Sequence, residues 1–450
     1  MTKMNRQGAT PKGFERRIRD LHFERVSDPR YAPNVNYKLP VILTVLVSAM
    51  VTAARSLRHV EQRTSQLLAR NGPWQGLEYR IADNTFGKLI PRLELDELAK
   101  RLVGMVKAEY RRGNLASTQL PVATAAIDGK NVATLHWHDL CRVLALDSTT
   151  AKPKQVKRLL KKEFPNVQLC IPKDGEPYAL ARVHTVTLVS SQAATCIYQR
   201  PIEGRTNEIG AMSALLSELR AAYGRTEIIA MLTTDAGNTS LGTATQIVDN
   251  LHWDYFSQFK SEHGELHREA VRLLSRRRES TADETYNDTQ NGYVVTYHVW
   301  HEDLSEQGWL DWTHARQLIR VQRVAEHPTT GHTTVGNRYY VTSKISSELK
   351  PKDALSISRG HWRCEEETHW TTDVVLQEDR RRLAWSRHPH GVFVISLLRM
   401  MALNILAIAR KLSRLSYNSQ TPTWQQVAEH FLLVLCATTL LTEEFDEVSE

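Results

Sequence analysis

Three carboxylates set far apart in the chain have the surroundings of a divided acidic site. Asp128 closes the run VATAAID just before Gly129, and Asp235 closes IIAMLTTD just before Ala236 and Gly237. Both stand where a buried strand would meet a turn. Glu365 lies in RGHWRCEEETHWTTDVVLQED, Arg359 to Asp379, a stretch with helical spacing. Positions three and four apart share a helix face, so Glu365 is expected beside His361, Trp362, His369 and Thr372 or Asp373, with Glu366 and Glu367 pointing elsewhere. Three acids within a few ångströms of one another repel, and one would hold a proton unless a cation shared the site. Hard oxygen ligands favour Mg²⁺ or Mn²⁺. Two such ions about 4 Å apart can activate a water or 3′-hydroxyl and stabilise the leaving oxygen of a phosphodiester. That is nuclease and strand-transfer chemistry. Taken singly, each acid is more often a strand cap or a solvated helix residue, so the reading depends on the three meeting.

The elements that must position them follow an order. The strand holding Asp128 is followed, after an interruption, by two strands in ARVHTVTLVSSQAATCIYQRPI, then the helix EIGAMSALLSELRAAYG, the Asp235 strand, the helix SLGTATQIVDNL and the strand WDYFSQFK. This βββαβαβα order, with acids on the first strand, the fourth strand and the last helix, predicts an α/β protein with an RNase H-like core. Residues 1–118 are expected to form a helical segment, read either as a packing lid or as a domain that binds DNA ends. Residues 119–261 would hold the first part of the core, interrupted at about 131–178 by a basic insertion whose helix carries Lys152, Lys154, Lys157, Arg158, Lys161 and Lys162. Residues 262–354 alternate like strands and read as a β-rich insertion containing Trp300, Trp309 and Trp312. Residues 355–450 supply the Glu365 helix and apolar C-terminal helices.

At 450 residues and 41% hydrophobic content the chain is globular and larger than one ordinary core. Its formal charge of +8 suggests a polyanionic partner. Five cysteines, Cys141, Cys170, Cys196, Cys364 and Cys436, form no C-x-x-C pair, which predicts reduced thiols in a cytoplasmic compartment. No signal peptide is read at the start. LPVILTVLVSAMVTAA and GVFVISLLRMMALNILAIA approach membrane-spanning length, but the first is short and the second contains Arg399 and Asn404, so both are expected to be buried helices and no membrane is invoked.

The motifs together resemble the DDE-type transposases of bacterial insertion sequences, in the branch that includes the H-repeat-associated proteins linked to Rhs elements. AIDGK at Ala126 to Lys130 looks like that family's first-aspartate motif, TNEI at Thr206 to Ile209 like its SNEI, and TTDA at Thr233 to Ala236 like its second-aspartate strand. The Arg359–Asp379 stretch and LLRMMALN at Leu397 to Asn404 are similar to its long closing signatures. Departures are present: Cys364 and Glu366 flank Glu365 where the family has isoleucine and asparagine, and only Lys260 survives of a K-x-NQ motif. The resemblance implies Asp128, Asp235 and Glu365 as the catalytic, metal-binding triad, with Mg²⁺ as cofactor and Mn²⁺ as substitute. It implies cleavage of double-stranded DNA at element ends and strand transfer to a target, by a homodimer on DNA, in the bacterial cytoplasm at the nucleoid. Lys130, Lys260, Arg359, His361 and Trp362 are expected to contact DNA beside the acids. Arg380, Arg381 and Arg382 would meet phosphates or simply cap a helix C-terminus. The competing readings are a domesticated nuclease and a catalytically silent DNA-binding protein.

Overall fold

The computed structural model describes residues 11–31, 35–67, 80–304, 310–378, 385–412 and 422–437. Trp309, Arg380, Arg381, Arg382 and the acidic tail lie outside them. The strands are β1 Thr124–His136, β2 Val167–Cys170, β3 Tyr178–Leu188, β4 Thr195–Pro201, β5 Met231–Thr234, β6 Asp254–Phe259, β7 Glu284–Gln290, β8 Tyr293–Asp303, β9 Gln317–Glu326 and β10 Thr333–Thr342. All ten join one mixed sheet in the order β2-β3-β1-β5-β6-β10-β9-β8-β7, with β4 on β3. β1 and β5 run parallel, as do β5 and β6, while β1 and β3 are antiparallel. Parallel strands are covered on both faces, and accordingly Thr124–Ile127 and Met231–Thr234 are entirely buried.

The helices are α1 Pro11–Asp20, α2 Leu39–Val51, α3 Leu57–Leu67, α4 Asp83–Leu89, α5 Leu95–Arg111, α6 Trp137–Val143, α7 Pro153–Glu163, α8 Glu208–Tyr223, α9 Leu241–Thr245, α10 Gly264–Leu274, α11 Pro351–His361, α12 Pro389–Leu412 and α13 Trp424–Ala437. The N-terminal helices share one continuous core with α12 and one face of the sheet, through residues such as Leu46, Leu102, Ile127 and Leu403. α12 is the one helix among the described residues long and apolar enough to cross a membrane, and its apolar stretch is wholly buried in protein. Its Asn404 is satisfied internally, accepting from the Cys196 amide at 2.8 Å and donating to the Cys196 carbonyl at 2.7 Å, stitching α12 to β4.

The 131–178 stretch is an ordered annex. β1 runs on to His136, α6 and α7 follow, and β2 returns to β3, around a small core of Leu135, Trp137, Val156 and Leu160. The β-rich stretch carries one strand more than the sequence pattern marks, because β7, ETYNDTQ, is a polar edge strand with no apolar alternation. It is also continuous with the core sheet: β10 pairs with β6 from Thr342↔Phe256 to Tyr339↔Phe259.

Candidate active site

The strand register brings the two aspartates together. Ile127 pairs with Thr234 in the parallel ladder, so Asp128 and Asp235 are the next residues on neighbouring strands, which lie about 4.8 Å apart. The Gly129 amide donates to Asp128 Oδ1 at 2.8 Å. Asp235 caps the short turn Ala236–Asn238, accepting from the Asn238 amide at 3.1 Å and from Asn238 Nδ2 at 2.8 Å.

Glu365 reaches the same place on an element the sequence pattern describes only in part. The helix starts earlier than Arg359 and is α-helical over α11, then widens into π-turns at Cys364–His369 and Thr371–Val375. A π-turn bonds i to i+5, and residues five apart come to one face: Cys364 Sγ lies 4.0 Å and His369 Nδ1 3.3 Å from the same oxygen, Asp128 Oδ2. The face expected from α-helical spacing is therefore redistributed. His369 is buried and hydrogen-bonds Thr185 Oγ1 through Nε2 at 2.7 Å, whereas Glu365 is exposed. Glu367 turns away to Arg363 at 2.7 Å.

Burial and like charges together set the electrostatics. Burial first, then the charges of Asp235 and Glu365, push the Asp128 carboxyl up to about 7. Burial and Asp235 also raise Glu365, against an opposing pull from Arg338. No histidine cation compensates, since burial drives His361 down to about 4 and His369 to about 3. The donor set is carboxylate oxygen with excess negative charge, which fits a hard divalent ion. Among the described residues no three His, Cys, Asp or Glu side chains are already closed into a metal cage. The acids are electrostatic neighbours, and the exposed Glu365 is the one with room to rotate.

The expected DNA contacts divide. Lys130 is buried, its ammonium donating to Thr372, to Asp373 at 2.6 Å and to Glu378 at 2.8 Å, so it is not available to a phosphate. Arg359 is engaged by Asp288 at 2.6 Å and lies over the Tyr286 and Tyr297 rings, fastening α11 to the β-rich region. His361 is buried under β5, with Nδ1 3.3 Å from Thr233 Oγ1. Trp362 is half-buried beneath the Arg338 guanidinium at 4.5 Å. Those four were expected at the DNA because they flank the acids in sequence, and packing commits each to another group. Lys260 is exposed. The sequence reading missed the exposed Arg338, on β10 opposite Val321 of β9, and gave no role to Glu208 of TNEI; the glycine after Asp128 was the available signal for the latter.

Comparison with known proteins adds the following. The family described as Transposase DDE domain matches residues 139–405, beginning downstream of Asp128. YncI of Escherichia coli O157:H7, a protein provisionally named a transposase, is 25% identical over 236 residues, covering 50% of this chain. The chain spans 56% of that relative's length. A cryo-EM structure of the piggyBac transposase synaptic complex with hairpin DNA superposes with a TM-score of 0.43 at 12% identity, over 98% of this chain and 83% of that one.

Proposed function

The chain belongs to the Transposase DDE domain family, which matches more than half of it, and on that premise we propose that it cleaves double-stranded DNA at element ends and joins those ends to a target. The reaction is in-line attack on a phosphodiester, carried out on an RNase H-like core. The observation that supports this most is the meeting of Asp128, within β1, and Asp235, just past β5, where the parallel ladder between them stops beside the Glu365 π-turn, with burial and then neighbouring acids holding the Asp128 carboxyl at about 7.

Asp128, Asp235 and Glu365 are the residues that would hold Mg²⁺ or Mn²⁺, which supplies activation of the attacking oxygen and stabilisation of the leaving one. The chain's own work is positioning. Cys364 and His369 flank Asp128 Oδ2, and the turn at Asn238 fixes Asp235. Both limit side-chain freedom at the reacting centre. Arg338 and Lys260 are exposed cations suited to backbone phosphates. In this reading residues 1–118 recognise DNA ends, 119–261 and 355–450 form the catalytic core, 262–354 extend it, and a homodimer pairs two ends in the cytoplasm at the nucleoid.

The test is a nicking assay on duplex DNA with and without Mg²⁺, comparing wild type with Asp235→Asn and Asp128→Asn. We expect nicking that needs the metal and falls by at least about 10³-fold in either variant. Wild-type protein that binds DNA but never cuts it with Mg²⁺ or Mn²⁺ would leave a silent binding protein in place of the enzyme.

A further inference from the structure

A fourth acid faces the site from an element the triad does not use. Asn207 N-caps α8, its Oδ1 accepting from the Gly210 amide at 3.0 Å. A Cβ on Gly210 would overlap the Thr206 hydroxyl as it is placed, so this glycine lets the Thr206–Asn207 turn pack closely on the helix start. Asn207 and Gly210 pin the start of α8 and with it Glu208, the first helical residue. The Glu208 carboxyl lies directly over Gly129: a Cβ on Gly129 would overlap its carboxyl carbon and both oxygens. Asn238 Nδ2 donates to Asp235 Oδ1 at 2.8 Å and to Glu208 Oε2 at 3.4 Å, so one amide ties the two acids side by side.

An acid placed there for structure alone would be expected to have a counter-charge. Among the described residues Glu208 makes no ion pair within 4 Å; burial and then Asp235 push its carboxyl up, and the Asn238 amide and the more distant Arg182 oppose this only in part. The surroundings carry further unsatisfied polarity. Asn238 and His184, the latter paired with Gly129 across β1 and β3, are fully buried; they act on each other, but neither Asn238 Oδ1 nor either His184 ring nitrogen makes a hydrogen bond of ordinary geometry. Buried polar atoms of this kind are costly unless something completes them.

We propose that Glu208 is a fourth carboxylate of the divalent-ion site, sharing it with Asp128 and Asp235, and that residue 129 lacks a side chain so that this carboxylate can enter. The proposal rests on the active-site reading given above. It assigns α8 a direct part in holding the ion and gives the TNEI motif a chemical role: Asn207 sets the helix start and Glu208 supplies the ligand.

The experiment measures Mn²⁺ binding to the full chain without DNA, by electron paramagnetic resonance titration, for wild type, Glu208→Gln, Gly129→Ala and Asp128→Asn. Unfolding midpoints in EDTA are recorded alongside. Glu208→Gln is expected to weaken Mn²⁺ at least about 10-fold without lowering the EDTA midpoint. Gly129→Ala is expected to weaken it by displacing the same carboxylate. Mn²⁺ affinity unchanged in Glu208→Gln but reduced in Asp128→Asn overturns the proposal and leaves the triad standing. No Mn²⁺ binding by wild type removes the proposal and the active-site reading together.

Discussion

Two residues on one strand, Asp128 and Lys130, sit under the same π-turn and meet opposite fates. His369 touches both, its ring 3.3 Å from Asp128 Oδ2 and its carbonyl 3.4 Å from Lys130 Nζ. Around Lys130 every charge has a partner. Burial would raise the Glu378 carboxyl, but Lys130 at 2.8 Å and Arg399 at 3.0 Å hold it down at about 2. Around Asp128 the neighbours are acids, and the carboxyl is pushed up to about 7. Both side chains are largely enclosed, and burial acts on each, so what separates the two environments is countercharge. The compensated cluster joins β1, the π-turns and α12 into one body. The uncompensated one stores repulsion that a bound proton or an added cation relieves, and that contrast separates structure from chemistry here.

The comparison breaks most plainly at Lys130. Lys130→Ala leaves the buried Glu378 carboxyl with Arg399 as its remaining countercharge, and should cost about 3–5 kcal/mol in chemical denaturation. A loss below about 1 kcal/mol would mean that the network is not what fastens the π-turns. Asp128→Asn should act in the other direction. An acid near 7 in the fold and near 3.9 unfolded binds its proton more tightly when folded. Stability from this group is therefore undiminished below about pH 4, falls as pH rises toward 7 and stays reduced above it. In EDTA at pH 8 the variant should gain on the order of 2 kcal/mol, with the gain absent at pH 4. His361 and His369, neutral in the fold, lose stability in the opposite sense as pH falls below about 6.5, so the informative quantity is the difference between variant and wild type at each pH. The smallest effect belongs to the exposed cations. Arg338→Ala and Lys260→Ala should each lower the salt slope of DNA binding by about 1, while Lys130→Arg leaves it unchanged. A slope altered only by the Lys130 change would reverse the assignment of phosphate contacts.

The strands were largely legible in the sequence, because two-residue alternation and short apolar runs are local properties; β7 was not, because an edge strand has no apolar face to bury. The turn after Asp235 followed from where its apolar run stops, whereas Asp128 does not end its strand: β1 continues through Gly129 to His136, because the polar residues beyond it still pair with β3. The face of the Glu365 helix was not legible either, since reading it requires the period, and the widening from α to π changes which residues coincide. Lys130 was misread for a different reason. Its partners lie more than 240 residues away, and nothing near it in sequence announces them. Glu208 was visible as part of a motif, but its purpose becomes apparent only when Gly129 is seen beneath it.

The pairing of β10 with β6 has a mechanical consequence. Main-chain ladders run without interruption from the outermost hairpin, β7–β8, through β9, β10 and β6 to β5, the strand that ends at Thr234, one residue before Asp235. A duplex gripping the far hairpins would pull on a stiff lever rather than a tethered flap, and torque applied at that tip would arrive at the strand beneath the acids.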